Sequence, residues 1–298
     1  MNNKKRIILI FWGVAEYGGV PTMFKNIQNE SLDNYEIKIL QIKTLKDFKE
    51  VLKYKRTKIV VSMTPIIGIL PVLNLFGYDI NVYFHSIVEW KGYRTFISLI
   101  ACLFSKKLYV TQEKALPKFI RNKVCFDEIG IALNPPSKQN SDERVIKSLL
   151  TVSRLDPIKR LPDLAKNLNT YLLKNDISLN IIGDGIDYDN IPKTNNIFLK
   201  GYISNKDIDW DNYDVLIINS LQEGFPVVAL EALTAGVGVI SRDVGNLKEL
   251  SKIFHNIWIF NTYEELIYII KNKYVKPSLK DIKKIKMQYG ADNFASNF

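Results

Sequence analysis

The chain alternates short runs of β-branched and aromatic residues with stretches in which apolar positions recur every three or four residues. Before residue 130 the first kind predicts strands at 6–12, 36–42, 58–62, 80–84 and 107–111, and the second predicts helices near 21–30, 45–54, 65–76, 93–104 and 112–121. Strand and helix in regular alternation specify a parallel sheet covered on both faces. The pattern lapses at 134–147, NPPSKQNSDERVIK, where two prolines and a polar run read as a linker. It restarts with strands at 148–153, 179–182, 196–200, 214–219, 238–241 and 257–260, and helices near 161–173, 226–235 and 263–273. The expected fold class is therefore α/β, with two doubly wound domains at residues 1–140 and 141–298 and the final helix free to pack back on the first. Such sheets bind ligands outside the carboxyl ends of their strands, so two of them facing across a cleft would hold a site there.

Composition supports this division. A chain of 298 residues exceeds what one core usually fills, and 47% hydrophobic with 24% charged residues excludes a disordered or fibrous protein. The longest apolar runs, 66–76 and 96–104, are too short to span a bilayer, and MNNKKRIILIFW reads as a first strand rather than a signal peptide. A cytoplasmic chain is expected. Cys102 and Cys125 lack metal or disulfide spacing, and with only His85 and His255 beside them neither a zinc site nor a disulfide framework is expected. The net charge of +10 predicts attraction to a polyanion, whether nucleic acid, anionic membrane or phosphorylated small molecule. Scattered surface lysine would produce the same number.

Candidate chemistry follows strands. Gly18-Gly19 comes after the first strand and before a helix that Pro21 can open, where backbone could approach an anion closely, although a Gly-Gly pair is also an ordinary turn. Arg154 follows the first strand of the second domain and Lys159 lies just before its helix, a planar fork and a point charge suited to a diphosphate. Gly183-Asp184-Gly185 ends another strand, in a turn that suggests close packing beneath a ligand. The segment NSLQEGFPVVALEALTAG is the most informative. Glu223 precedes a helix and Glu231 lies about two turns into it, with no cation nearby in sequence. An acid inside an apolar helix is costly to bury unless it accepts hydrogen bonds, which sugar and ribose hydroxyls could donate. The N–H groups over Gly224, Phe225, Pro226 and Val227 would face a phosphate.

With Glu223-x7-Glu231 inside EGFPVVALEALTAGVGVI, and with SRLDPIK, IIGDG and the early Gly-Gly, the chain resembles the retaining family-four glycosyltransferases of the GT-B fold. The likeness is strong over 149–250 and weaker over the first 130 residues, where element order, the Gly-Gly loop and FHS at 84–86 carry it. The resemblance implies that Glu223 meets the donor sugar's hydroxyls, Glu231 holds the ribose, and Arg154 and Lys159 neutralise the leaving diphosphate. It also places Gly201 and Tyr202 of FLKGYI at the nucleotide base, Gly183 and the 224–227 loop with the donor, and His85 as the cleft histidine. The departures are Ser153 where the family often has Gly, NPP at 134–136 for asparagine-glycine, and a short chain. They bear most on the acceptor side.

The implied activity is transfer of a hexosyl or N-acetylhexosaminyl group from a nucleotide-sugar, a UDP-sugar foremost, to a glycan or lipid-linked glycan in cell-surface polysaccharide synthesis. Front-face attack would retain configuration. Two DxD tripeptides, Asp187-Tyr188-Asp189 and Asp209-Trp210-Asp211, sit in polar connections without a ligand cluster, so neither a metal nor another cofactor is expected. Two other readings remain: a GT-B sugar-nucleotide epimerase, and a basic nucleotide- or nucleic-acid-binding protein, although no nucleic-acid motif supports the latter. Finally, Lys91, Arg94, Lys106 and Lys107 bracket the apolar helix 93–104, which could be core or could lie on the inner face of the cell membrane.

Overall fold

The computed structural model describes residues 5–12, 34–54, 57–62, 67–84, 93–110, 124–126, 146–272 and 277–296, with scattered positions among 21–32. The chain separates into two compact units, residues 1–132 with 287–298, and residues 133–286.

Unit 1 is built on six parallel strands, β1 (Lys5–Trp12), β2 (Tyr35–Ile42), β3 (Lys58–Ser62), β4 (Asp79–Phe84), β5 (Lys107–Val110) and β6 (Val124–Phe126), in the order β2-β1-β3-β4-β5-β6. Between them run α1 (Phe48–Leu52), α2 (Leu70–Leu75) and α3 (Tyr93–Phe104). Ile7, Ile8, Leu9 and Ile10 of β1 are all fully buried, since a central parallel strand is covered on both faces and has no wet side to alternate toward. β6 has no counterpart among the expected strands; VCF is too short for a periodic signal and pairs only because β5 leaves an open edge. The expected helix at 112–121, and most of the linker at 134–147, lie outside the described residues.

Unit 2 contains β7 (Ser148–Val152), α4 (Leu161–Asn175), β8 (Ser178–Ile182), β9 (Ile197–Gly201), β10 (Val215–Ile218), α5 (Val227–Thr234), β11 (Gly238–Ser241), α6 (Leu247–Ser251), β12 (Ile257–Ile259) and α7 (Tyr263–Asn272). The chain closes with α8 (Leu279–Tyr289) and α9 (Ala291–Ser296). The six strands of unit 2 are again all parallel, in the order β9-β8-β7-β10-β11-β12. That is the Rossmann order, and the direction of winding reverses between β7 and β10. Leu161, Leu164, Ala165, Leu168 and Leu172 form one stripe of α4 at helical spacing and pack with Leu149, Leu179, Ile181, Val215 and Ile217 from the sheet. Asp214 fixes the first strand beside the fourth: one of its oxygens accepts the N–H groups of Lys147 and Ser148 at 2.8 and 2.9 Å.

The expected strands and long helices of unit 2 are all present, with bounds moved by one or two residues. The short α6 was not anticipated, and for the end of the chain a final helix was expected without bounds, where α8 and α9 are found. The DxD tripeptides form parts of single turns. Asp187 accepts from Asn190 and Asp209 from Asn212, so each carboxylate closes its own loop.

Candidate functional site

The reversal between β7 and β10 leaves the loops after these two strands side by side, with their free backbone at the carboxyl end of the sheet. Three bonds lace them together. The Leu221 N–H donates to the Ile158 carbonyl at 2.8 Å, the Asn219 amide donates to the Arg160 carbonyl at 2.8 Å, and Lys159 Nζ donates to Glu223 Oε1 at 2.6 Å. Sequence gave Glu223 no cation because its partner is distant along the chain; the topology supplies Lys159. The same Glu223 oxygen accepts from the Ser220 hydroxyl at 2.6 Å. Both side chains of the ion pair are mostly buried, at 16% and 18% exposure, so each charge depends on the other for solvation. Arg154 behaves differently: its guanidinium is 77% exposed and pairs with Asp156 at 2.8 Å.

Beneath this pair lies a polar network that sequence reasoning missed. Asn219, 1% exposed, accepts from Arg242 Nε at 2.8 Å and donates to the Tyr263 hydroxyl at 3.1 Å. Tyr263 donates to Asp163 at 2.6 Å, and the Arg242 guanidinium lies over the rings of Phe260 and Tyr263. Burial, and then Asp163, hold the Tyr263 phenol above its ordinary range. The loops that follow β7, β10, β11 and β12 thus share one hydrogen-bonded floor. Asn219 and Arg242 directly follow their strands, whereas Tyr263 opens α7 and the loop after β7 contributes the Arg160 carbonyl, so no common sequence signal marks the four.

Glu231 sits inside α5 at 4% exposure. Its partner is the Asn205 side-chain amide, which reaches both carboxylate oxygens at 3.1 and 2.9 Å from the turn after β9. Burial pushes the Glu231 carboxyl up to about 7, against the opposing effect of Asn205. The Asn205 turn belongs to the same connection as Gly201 and Tyr202, the latter 59% exposed.

Two glycines permit close backbone contact. Gly183 has φ of +144°, and a Cβ there would meet the Ser153 carbonyl oxygen at 1.8 Å; its N–H donates to the Gly201 carbonyl at 2.8 Å. The close packing expected under a ligand is thus contact between the turn at 183–185 and the loop that carries Arg154. Gly245 has φ of +61° and lies against Glu223, Gly224 and Pro226, so the loop after β11 supports the Glu223 segment. The row of N–H groups expected over 224–227 is shorter than the sequence reading assumed. Pro226 has none, and the Val227 N–H donates to the Phe225 carbonyl at 2.9 Å. Gly224, Phe225 and Val227 are partly exposed and Pro226 is buried. Gly18, Gly19 and His85 lie outside the described residues. Among those described, no group of three or more His, Cys, Asp or Glu side chains is placed to hold a metal ion.

Residues 146–269 match the family model for glycosyl transferases group 1. Unit 2 carries a glycosyl transferases group 1 domain. A stretch of 116 residues is 31% identical to the poly(glycerol-phosphate) alpha-glucosyltransferase of Bacillus subtilis, covering 36% of this chain and 17% of that protein. The chain therefore spans only a minor part of the length of the curated relative it matches. Two solved structures are similar in fold: Anabaena HepE in complex with UDP, at 12% identity and a TM-score of 0.73 over 98% of both chains, and sucrose-phosphate synthase from Thermosynechococcus elongatus, at 14% identity and a TM-score of 0.70 over 99% of this chain and 97% of that one. The fold is GT-B. In the glycosyl transferases group 1 domain, the ion pair, the Glu231 carboxylate and both glycine contacts all fall within the matched residues.

Proposed function

We propose that the chain transfers a hexosyl or N-acetylhexosaminyl group from a UDP-sugar to a glycan or lipid-linked glycan, with retention of anomeric configuration, in cytoplasmic assembly of a cell-surface polysaccharide. The observation that carries this reading is the winding reversal of unit 2, which sets Lys159 on Glu223 with Glu231 in the helix that follows. The Bacillus relative is named for alpha-glucosyl transfer to a glycerol-phosphate polymer, and the Anabaena structure holds UDP; both support the donor and the acceptor class.

In this reading Glu231 accepts the ribose hydroxyls and Glu223 those of the sugar, while Gly183, Gly201, Tyr202 and the 224–227 loop complete the donor pocket. Breaking the anomeric C–O bond sends its electron pair to the diphosphate and leaves oxocarbenium character on the sugar. Lys159 and Arg154 stabilise the charge that develops on the diphosphate oxygens, so electrostatic preorganisation does most of the work. The acceptor hydroxyl attacks from the face the diphosphate leaves, and its proton passes to the departing phosphate oxygen. Two cations in these positions make a metal unnecessary, and the nucleotide-sugar is a substrate rather than a cofactor.

The test is a panel of UDP-sugars with glycan and lipid-linked acceptors, the product's anomeric configuration being read by NMR. Retained configuration and a rate unaffected by EDTA are expected. Lys159→Ala or Arg154→Ala should raise the barrier by about 2 to 4 kcal/mol. An inverted product, a rate restored only by added manganese, or full turnover in Glu223→Ala would overturn the corresponding part.

A further inference from the structure

Arg160 has a backbone conformation that its side chain disfavours. Its φ and ψ are +52° and +38°, in the left-handed region, and it is neither a glycine nor a short polar residue that bonds its own backbone. The other non-glycine of this kind among the described residues, Asp176, closes α4 at its far end, where a left-handed residue is ordinary. Arg160 stands instead between Lys159 and the first turn of α4. Strain of this sort persists only where the surroundings over-determine the residue.

The surroundings do so through a closed ring of hydrogen bonds. The Arg160 guanidinium donates to Asp163 Oδ2, and the Tyr263 hydroxyl donates to the same oxygen at 2.6 Å. The Asn219 amide donates to that hydroxyl at 3.1 Å and to the Arg160 carbonyl at 2.8 Å, which returns the ring to the residue where it began. Two braces hold it from outside. Asn167 donates to the other Asp163 oxygen at 3.0 Å, and Arg242, anchored on the Asn261 carbonyl at 2.8 Å, donates to Asn219 Oδ1 at 2.8 Å. Asn219 therefore uses both amide hydrogens and its oxygen, which a carboxylate of the same shape could not do.

The fold does not call for this ring. Tyr263 already packs its aromatic ring against the core cluster, and apolar residues often replace buried ion pairs without loss of stability. Its neighbours in the chain show what it serves. Lys159 directly precedes Arg160, and Asn219 is followed by Ser220, whose hydroxyl donates to Glu223 at 2.6 Å. The Asn219 bond to Arg160 thus joins the two loops that carry the ion pair, next to the lysine on one side and next to the hydroxyl that holds Glu223 on the other.

We infer that Asn219 is a positioning residue of the transfer site: by its bond to the Arg160 carbonyl, with Asp163 and Tyr263 closing the ring, it keeps Arg160 left-handed and fixes the direction from which Lys159 reaches Glu223. The link to turnover rests on the transfer reading, whereas the link between ring and ion pair does not.

Two measurements on the full chain test it. Denaturant melts of Lys159→Ala, Glu223→Gln and the double variant give the coupling within the pair, without donor or acceptor, and about tenfold in the unfolding constant is expected. Asn219→Asp keeps the shape and the Arg242 contact but donates nothing, and should bring that coupling close to unity. Tyr263→Phe, which removes one oxygen and keeps the packing, serves if a carboxylate at 219 folds poorly. The second measurement is UDP-sugar turnover. Opening the ring should lower kcat about tenfold or more, as a small misplacement of a catalytic charge does, with the UDP dissociation constant unchanged in calorimetry. In the Lys159→Ala background the same substitution should lower kcat no further, because Asn219 acts through that lysine. An ion-pair coupling that survives opening of the ring would overturn the inference while leaving the transfer reading intact. A kcat that falls by the same factor with and without Lys159, as general loosening of the fold produces, would overturn it too. Absence of turnover in the parent would remove the transfer reading, and the melts would still decide whether the ring sets the pair.

Discussion

Glu231 is the residue whose environment makes the sharpest demand. A carboxyl at 4% exposure with one amide as its partner holds its proton up to about pH 7, against an ordinary 4.5. The proton stabilises the folded state, so that contribution is complete below pH 4.5 and is lost as pH rises through 7. Its size is on the order of 3 kcal/mol. Glu231→Gln keeps the shape and removes the titration, so denaturant melts should show the variant gaining stability on the parent as pH rises from below 4.5 to above 7. A constant difference across that range would mean that Glu231 is not held protonated. Asn205 is the matching test. Asn205→Ala removes the only described side chain that bonds both Glu231 oxygens, so the carboxyl should titrate higher still and UDP binding should require more alkaline pH; an unchanged pH profile would show that Asn205 has no hold on Glu231. The acid at 231 was legible in sequence as an anomaly inside an apolar helix. Asn205 was not, because 26 residues separate the pair and an Asn in a turn has an ordinary local explanation.

The strand-to-helix loops are the elements that make the site, and they are held by contact between backbones rather than by side chains alone. Gly183 is the clearest case, since a Cβ would overlap the Ser153 carbonyl and a φ of +144° suits glycine alone. Gly183→Ala must move the loop after β7, and with it Arg154 and Lys159. The expected result is a stability loss of roughly 2 to 4 kcal/mol with a larger loss of turnover than Arg154→Ala produces, measured by denaturant melts and by kcat. Wild-type melting and rate would show that the two loops are not in contact. The elements themselves were readable because parallel strands and the stripe of α4 repeat with a fixed period. β6 and α6 escaped because they are too short to show a period, and the bounds of α8 and α9 escaped because they lie beyond the last strand, where no alternation frames them.

The whole molecule consists of two parallel sheets with opposite emphasis. Unit 2 holds the Lys159–Glu223 pair and the buried Glu231 near neutrality, and unit 1 carries most of the net charge. UDP at about a hundred times its dissociation constant should add about 2.7 kcal/mol to the folded state, and calorimetry should register it in the transition to which unit 2 contributes. A thermogram insensitive to UDP would remove the donor assignment from the Glu223 and Glu231 loops. What the sequence determined by itself is the class of each sheet and the residue types that follow strands, because both are encoded in local period and composition. What only the tertiary structure decided is which of those residues meet. Lys159 reaches Glu223 across 64 positions, Asn219 joins Arg242 and Tyr263, and Gly183 lies under Ser153. Each of these depends on strand order, and a parallel sheet can be wound in several orders by chains of the same periodicity.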